Sequence, residues 1–193
     1  MDEYLEEINS PLLISLTVDK EPYVKKITND DIINLTGQSG SGKSYYAKNN
    51  FAGSDYVIVD TDDIFSDKRF AEATGINKEL GTYFRNKYES LPTLNKDFDL
   101  IYKEITDYCK NLNKTTVIDC AQFHCVEDVH LLKGKIIIMR TCIDTCYNRT
   151  ISRWMEYHPD YSDEELNAFK ERKKAIYKWY KGTNKFIEKI DKI

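Results

Sequence analysis

Several things are missing from this sequence, and each absence narrows the reading. No apolar run approaches the roughly 20 residues that a membrane-spanning helix requires, so no membrane partner is expected. The N-terminus, Met1-Asp2-Glu3-Tyr4-Leu5-Glu6-Glu7, is acidic and has neither the basic nor the apolar region of a secretory leader. A cytoplasmic location is the expectation. Cysteine is sparse and odd in number: the five residues Cys109, Cys120, Cys125, Cys142 and Cys146 include no Cys-x-x-Cys pair, which argues against a disulfide framework and against a zinc ribbon. Cys120, His124, Cys125 and His130 are near neighbours, yet their spacing fits no usual zinc pattern. There is no internal repeat and no low-complexity linker. Excess positive charge is also absent: the net charge is −4, which removes the global electrostatic reason for tight nucleic-acid binding, although a local basic groove would escape that average. Small substrates are favoured over nucleic acid.

What is present has the balance of a globular chain. Hydrophobic residues make up 41% and charged residues 31% of 193 residues, enough for one well-buried domain and short for two. Residues 1–30 read as an extension, a β-hairpin of Leu12–Val18 and Tyr23–Ile27 around Pro22. From 31 to 193 the pattern is α/β. Short apolar runs at Ile32–Thr36, Tyr56–Val59, Thr116–Ile118 and Lys135–Met139 each end in polar residues, and Phe98, Ile101, Ile105, Tyr108 and Leu112 recur at helical spacing between them. Alternation of this kind predicts a mostly parallel sheet whose carboxyl ends gather the functional side chains. Near the C-terminus, Ser162-Asp163-Glu164-Glu165 reads as a reciprocally capped helix start, with the helix continuing through Trp179. Lys185–Ile190 reads as either a strand or another helix.

The residues that carry chemistry sit at those strand ends. Gly37-Gln38-Ser39-Gly40-Ser41-Gly42-Lys43-Ser44 follows the first run, a helix is expected over Ser44–Asn50, and Tyr45 is counted with the loop among the nucleotide-binding residues. Glycines at these spacings let backbone N–H groups converge on one concavity, and the helix dipole points to the same place, a geometry suited to a polyphosphate. Lys43 would reach the β- and γ-phosphates, and the Ser44 hydroxyl would help hold Mg²⁺. Asp60, Asp62 and Asp63 close the second run. Asp60 is placed to hold the metal through water and Asp62 to act as base toward an acceptor hydroxyl, while Asp63 suits a helix cap. Asp119 closes the third run as a further metal-holding carboxylate. Arg149 and Arg153, four residues apart, share a helix face from which they could close over a transferring phosphoryl group. Arg140 is a third such candidate. Arg85 and Arg69 lie where an anionic acceptor would be bound.

Together these segments resemble the small P-loop kinases, the group containing shikimate and gluconate kinases, polynucleotide 5′-kinases and zeta-type toxins. The likeness runs from about Ile32 to Arg153. Val59-Asp60-Thr61-Asp62-Asp63 is similar to the segment in which an aspartate contacts the acceptor hydroxyl, a role that falls on Asp62. Asn148-Arg149 and Arg153 match the lid arginines. The resemblance implies a three-layer P-loop nucleoside-triphosphate-hydrolase-like fold with a short helical lid near residues 144–162. It also implies ATP and Mg²⁺ as cofactors, with transfer of the γ-phosphoryl group to a small-molecule or nucleotide acceptor.

Subfamily signatures diverge. Gly81-Thr82-Tyr83-Phe84-Arg85 lacks the glutamate of the shikimate kinase segment, Asp119-Cys120-Ala121-Gln122 replaces that enzyme's triple glycine, and Thr61 stands where polynucleotide kinases carry arginine. A nucleoside monophosphate kinase, a polynucleotide 5′-kinase and a zeta-toxin-like kinase stay open, as does a nucleotide-binding regulatory module without turnover. Adenine is preferred over guanine because no Asn-Lys-x-Asp segment appears. The sequence leaves the oligomeric state open.

Overall fold

The computed structural model describes residue 14, residues 18–171 and residues 173–193. Five strands form one sheet: β1 (Lys20–Lys26), β2 (Ile32–Thr36), β3 (Tyr56–Asp60), β4 (Thr115–Asp119) and β5 (Lys135–Arg140). Their order is β1-β5-β2-β4-β3, with β5, β2, β4 and β3 parallel and β1 antiparallel to β5. The protein is therefore an α/β fold on a mostly parallel sheet. Because β2 lies between β4 and β5, the strand order reverses beside the chain segment that leaves β2, the place where open α/β sheets leave a crevice.

Period-two alternation divides each central strand between two apolar clusters. Ile33 and Leu35 of β2, Val117 of β4 and Ile137 of β5 pack with Ala47 of α1 (Lys43–Asn50). The intervening Ile118, Ile136 and Ile138 join the larger cluster, built with α4 (Gly75–Lys87), α5 (Phe98–Cys109) and the C-terminal helix α8 (Lys173–Ile190). The short helices α2 (Thr61–Phe65) and α3 (Asp67–Glu72) follow β3 directly. Helix α6 (Ile143–Tyr157) and helix α7 (Asp163–Lys170) lie between β5 and α8.

Two sequence expectations change. The helix expected from Ser162 through Trp179 is two helices, because the two parts face different neighbours. Phe169 of α7 stacks on Trp154 of α6 with 4.9 Å between ring centroids, whereas α8 buries Ile176, Trp179 and Tyr180 in the main core. Lys185–Ile190 is the end of α8, and among the described residues the sheet has no fifth parallel strand.

The place beside β5 is taken by β1. Its Tyr23, Val24 and Lys25 lie opposite Ile138, Ile137 and Ile136. Of the other run expected in an N-terminal hairpin, Leu12–Val18, only Ile14 and Val18 are within the described residues. Ile14 is fully buried, and its backbone N–H donates to Asn184 Oδ1 of α8 at 3.0 Å. The Tyr23 hydroxyl donates to Asp191, and Lys25 Nζ donates to the Ile190 carbonyl at 2.5 Å.

Candidate active site

The segment between β2 and α1 is a tight glycine loop. Gly40 (φ +83°) and Gly42 (φ +87°) lie in the left-handed region, which costs other L-residues energy and glycine little. A Cβ on Gly40 would come within 2.5 Å of the Cys146 carbonyl oxygen, so the backbone of α6 rests on the loop only because no side chain intervenes. A Cβ on Gly42 would meet nothing within 4 Å. That residue faces open space at the start of α1. Gly42 is also the N-cap and supplies no side-chain cap, and the first turn holds no acidic residue. The leading N–H groups of α1 thus converge uncapped on that space, the electrostatic setting that anions seek.

Asp119 faces this helix start from the neighbouring strand. It is 3% exposed; its Oδ2 accepts from Ser44 Oγ at 3.1 Å, and its Oδ1 lies 3.5 Å from Lys43 Nζ. Oδ1 makes no hydrogen bond among the described residues. Burial pushes the Asp119 carboxyl above its ordinary value, with Lys43 pulling it down and Asp60 pushing it up. Asp60 is its registered partner across the β3–β4 pair. A buried carboxylate with an unused oxygen, beside a hydroxyl and a second carboxylate, is a fitting donor set for a hard divalent cation. No group of three or more His, Cys, Asp and Glu among the described residues is arranged to hold a metal unaided. The remaining ligands would have to come from water and from a bound polyphosphate.

The acidic end of β3 is held by a cation that the sequence pointed to as a contact for an anionic acceptor. Arg69 of α3 pairs with Asp60 at 2.8 Å, Asp62 at 3.1 Å and Asp63 at 2.6 Å. Burial works against the Arg69 charge, and the three carboxylates raise its pKa regardless. Asn77 of α4 completes the frame by accepting from Asp60 N at 3.0 Å and donating to Asp63 at 3.3 Å. Asp60 caps α2 by accepting from Asp62 N, the capping place anticipated for Asp63. Asp62 keeps 51% of its side chain exposed. Burial raises the Cys120 thiol to about 12, and the Thr61 hydroxyl donates to Asp119 O at 3.1 Å, which ties the start of α2 to the end of β4.

The expected arginines part company. Arg149 Nη1 donates to Gly40 O at 3.2 Å, and the Thr150 hydroxyl lies 3.3 Å from Ser39 O, so the first turns of α6 sit against the loop. Arg153 is exposed, one turn further along. Arg140 donates to Glu21 O at 2.6 Å and ties β5 to β1. Arg85 bridges α4 to the α2–α3 segment: it donates to Ile64 O at 2.8 Å and to Asp67 at 2.9 Å, and its guanidinium lies 3.7 Å from the centre of the Phe70 ring. Tyr45 is 76% exposed on α1.

A hollow of about 250 Å³ opens beside the loop between the helices. Gln38, Ser39, Tyr147, Phe169 and Ile176 are among its lining residues. Sequence spacing does not reveal it, because three helices and the loop each contribute only one or two residues. No protein-family model matches the chain, and no curated protein matches its sequence.

Proposed function

We propose that the chain is a P-loop kinase that transfers the γ-phosphoryl group of ATP, with Mg²⁺, to a hydroxyl of a small-molecule or nucleotide acceptor. The observation that carries this reading is the meeting of Lys43 and Ser44 with the buried Asp119 carboxylate at the uncapped start of α1. The strand order, with β2 central and flanked by β4 and β5, supports it, as does the sequence likeness of residues 32–153 to small P-loop kinases.

In this mechanism the loop N–H groups and Lys43 hold the β- and γ-phosphates. Ser44 and Asp119, with Asp60 through water, would hold Mg²⁺, which when bound neutralises charge on the phosphate oxygens. The apolar hollow beside Gln38 and Ser39 receives the base, with Tyr147 and Phe169 as its aromatic walls. Asp62 accepts the proton of the acceptor hydroxyl as the new O–P bond forms and the bond to the departing ADP oxygen breaks. Arg69, 3.1 Å from Asp62, holds that carboxylate in place. Arg149, already against the loop, supplies charge stabilisation where negative charge shifts.

The test is phosphate transfer from labelled ATP to a panel of acceptors. Asp62→Asn should leave ATP affinity within about twofold while reducing transfer by roughly 10²-fold or more, and Lys43→Ala should weaken both. Unchanged transfer in the Asp62 variant would remove that residue from the mechanism. Tight nucleotide binding with no transfer to any acceptor would replace the kinase reading with a regulatory one.

A further inference from the structure

A second, larger cleft begins where the nucleotide site ends. Its volume is about 690 Å³, within the usual range of small-molecule sites, and it is lined by Gln38 of the loop, Gln122 and His124 beyond β4, and Lys178, Trp179 and Lys185 of α8, among others. Gln38 lines both this cleft and the base hollow, so the two spaces meet at the phosphate loop. The charge distribution is one-sided. In a chain of net charge −4, no carboxylate among the described residues lines the cleft. Lys178 and Lys185 are exposed and have no ion-pair partner among the described residues.

The floor of the cleft is built rather than incidental. Trp179 is buried and its Nε1 donates to Ala121 O at 2.6 Å, which fixes α8 against the segment that follows Asp119. His124 Nδ1 lies 3.3 Å from the same carbonyl. Gly182 lets the His124 ring lie against α8, since a Cβ there would come within 2.7 Å of His124 Cδ2. The charged face of α8 is thereby held against the segment that follows Asp119, and α2, which carries Asp62, is tied to the end of the same strand by the Thr61 hydroxyl, which donates to Asp119 O at 3.1 Å. Lys178 and Lys185 stand seven residues apart, two helical turns or about 10 Å. That spacing spreads positive charge along the cleft, while Gln38 and Gln122 offer amides to hydroxyl groups.

We propose that this cleft is the acceptor site and that it takes a phosphate-bearing polyol, a sugar phosphate or nucleoside monophosphate, whose free hydroxyl is presented to Asp62. The lysines hold the resident phosphate and the amides hold the hydroxyls. In the reaction the free hydroxyl gives its proton to Asp62 and gains the γ-phosphoryl group, ADP leaves, and the phosphate on the lysines is unchanged. This inference rests on the kinase reading for its chemistry, but binding in the cleft can be read separately.

Fluorescence uses the full chain with Trp154→Phe, which leaves Trp179 as the sole tryptophan, and turnover uses the full chain with Trp154 intact, each with and without Lys178→Glu/Lys185→Glu. Both lysines are exposed, so the double variant should keep the wild-type circular dichroism and melting temperature. Ribose 5-phosphate, a nucleoside monophosphate, the corresponding neutral ribose and nucleoside, and a 5′-hydroxyl oligonucleotide are titrated against Trp179 fluorescence and then assayed with ATP. The expected result is a fluorescence change with the phosphorylated compounds only, and turnover whose acceptor KM rises roughly tenfold or more in the double variant while kcat and the KM for ATP stay within about twofold. The two phosphorylated probes separate a sugar from a nucleoside skeleton. Binding that the double variant loses, without transfer in either protein, would uphold the cleft and overturn the kinase reading. Transfer with an acceptor KM unaffected by the double variant would overturn the cleft and leave the kinase reading intact. Preference for neutral compounds or for the oligonucleotide would also overturn the proposal.

Discussion

Gly40 joins two demands on one backbone position, a left-handed φ and the close passage of the Cys146 carbonyl. An alanine there must either strain the loop or push α6 away. Gly40→Ala is expected to cost about 2 kcal/mol, the strain alone being about 1–2 kcal/mol, and to weaken nucleotide binding. Thermal unfolding with and without ATP and Mg²⁺ measures both effects. His124 behaves differently, because its constraint depends on pH. Burial lowers its pKa from the ordinary 6.5. A depressed folded value gives stability that is present above the unfolded pKa and lost as pH falls through the folded one. The melting temperature should therefore fall between pH 7 and pH 5, roughly the window of histidine titration, and His124→Gln should flatten that fall. An unchanged slope would show that His124 does not titrate on folding. The loop could be read from sequence because its determinants are consecutive residues. For Arg69 the sequence offered only an anionic acceptor; its grip on Asp60, Asp62 and Asp63 was not legible, since α3 must fold back on the end of β3 to bring the guanidinium there.

Among the elements, α6 and α7 form a unit held by aromatic contacts. Trp154 stacks between His158 at 4.7 Å and Phe169 at 4.9 Å, with Tyr161 at 5.5 Å, and α7 is set by the capping box of Ser162 and Glu165. Each aromatic pair is worth about 0.5–1.5 kcal/mol beyond its buried area, so the clasp governs how firmly α7 is seated. Because Phe169 also lines the hollow beside the loop, where we propose that the base binds, Trp154→Ala should raise the KM for ATP several-fold and speed proteolysis between residues 158 and 171. If cleavage and KM both match wild type, the clasp does not set the hollow. The capping box was visible in sequence because it is a four-residue pattern. Likewise the ends of β3 and β4 were legible from apolar runs closing in acidic residues, and that of β2 from the glycine loop that follows it. The break between α7 and α8 was not legible, since helical periodicity continues in residue type while the partner surface changes. Nor was the charged face of α8, where Lys178 and Lys185 matter only once Gln122 and the loop are opposite them.

For the whole molecule, the arrangement of the termini matters most. Strand β1 completes the β5 edge, and the C-terminal end of α8 holds β1 through Tyr23–Asp191 and Lys25–Ile190. Burial and the neighbouring Asp191 carboxylate both raise the Tyr23 pKa, so the hydroxyl stays protonated and donating. Tyr23→Phe removes that bond to a charged group and is expected to cost about 1.5 kcal/mol, readable as a lower denaturation midpoint with unchanged slope. If the midpoint does not move, the two ends are not coupled in this way. The mostly parallel sheet was foreseeable from its repeated strand–helix units. The position of β1 was not, because pairing between residues more than a hundred positions apart leaves no mark on local pattern. The same arrangement bears on biosynthesis. Strand β1 is made more than a hundred residues before its neighbour β5, and its contacts at Asp191 and Ile190 lie 168 and 165 residues further along the chain. During synthesis β1 is therefore an unpaired strand until those later segments have followed it.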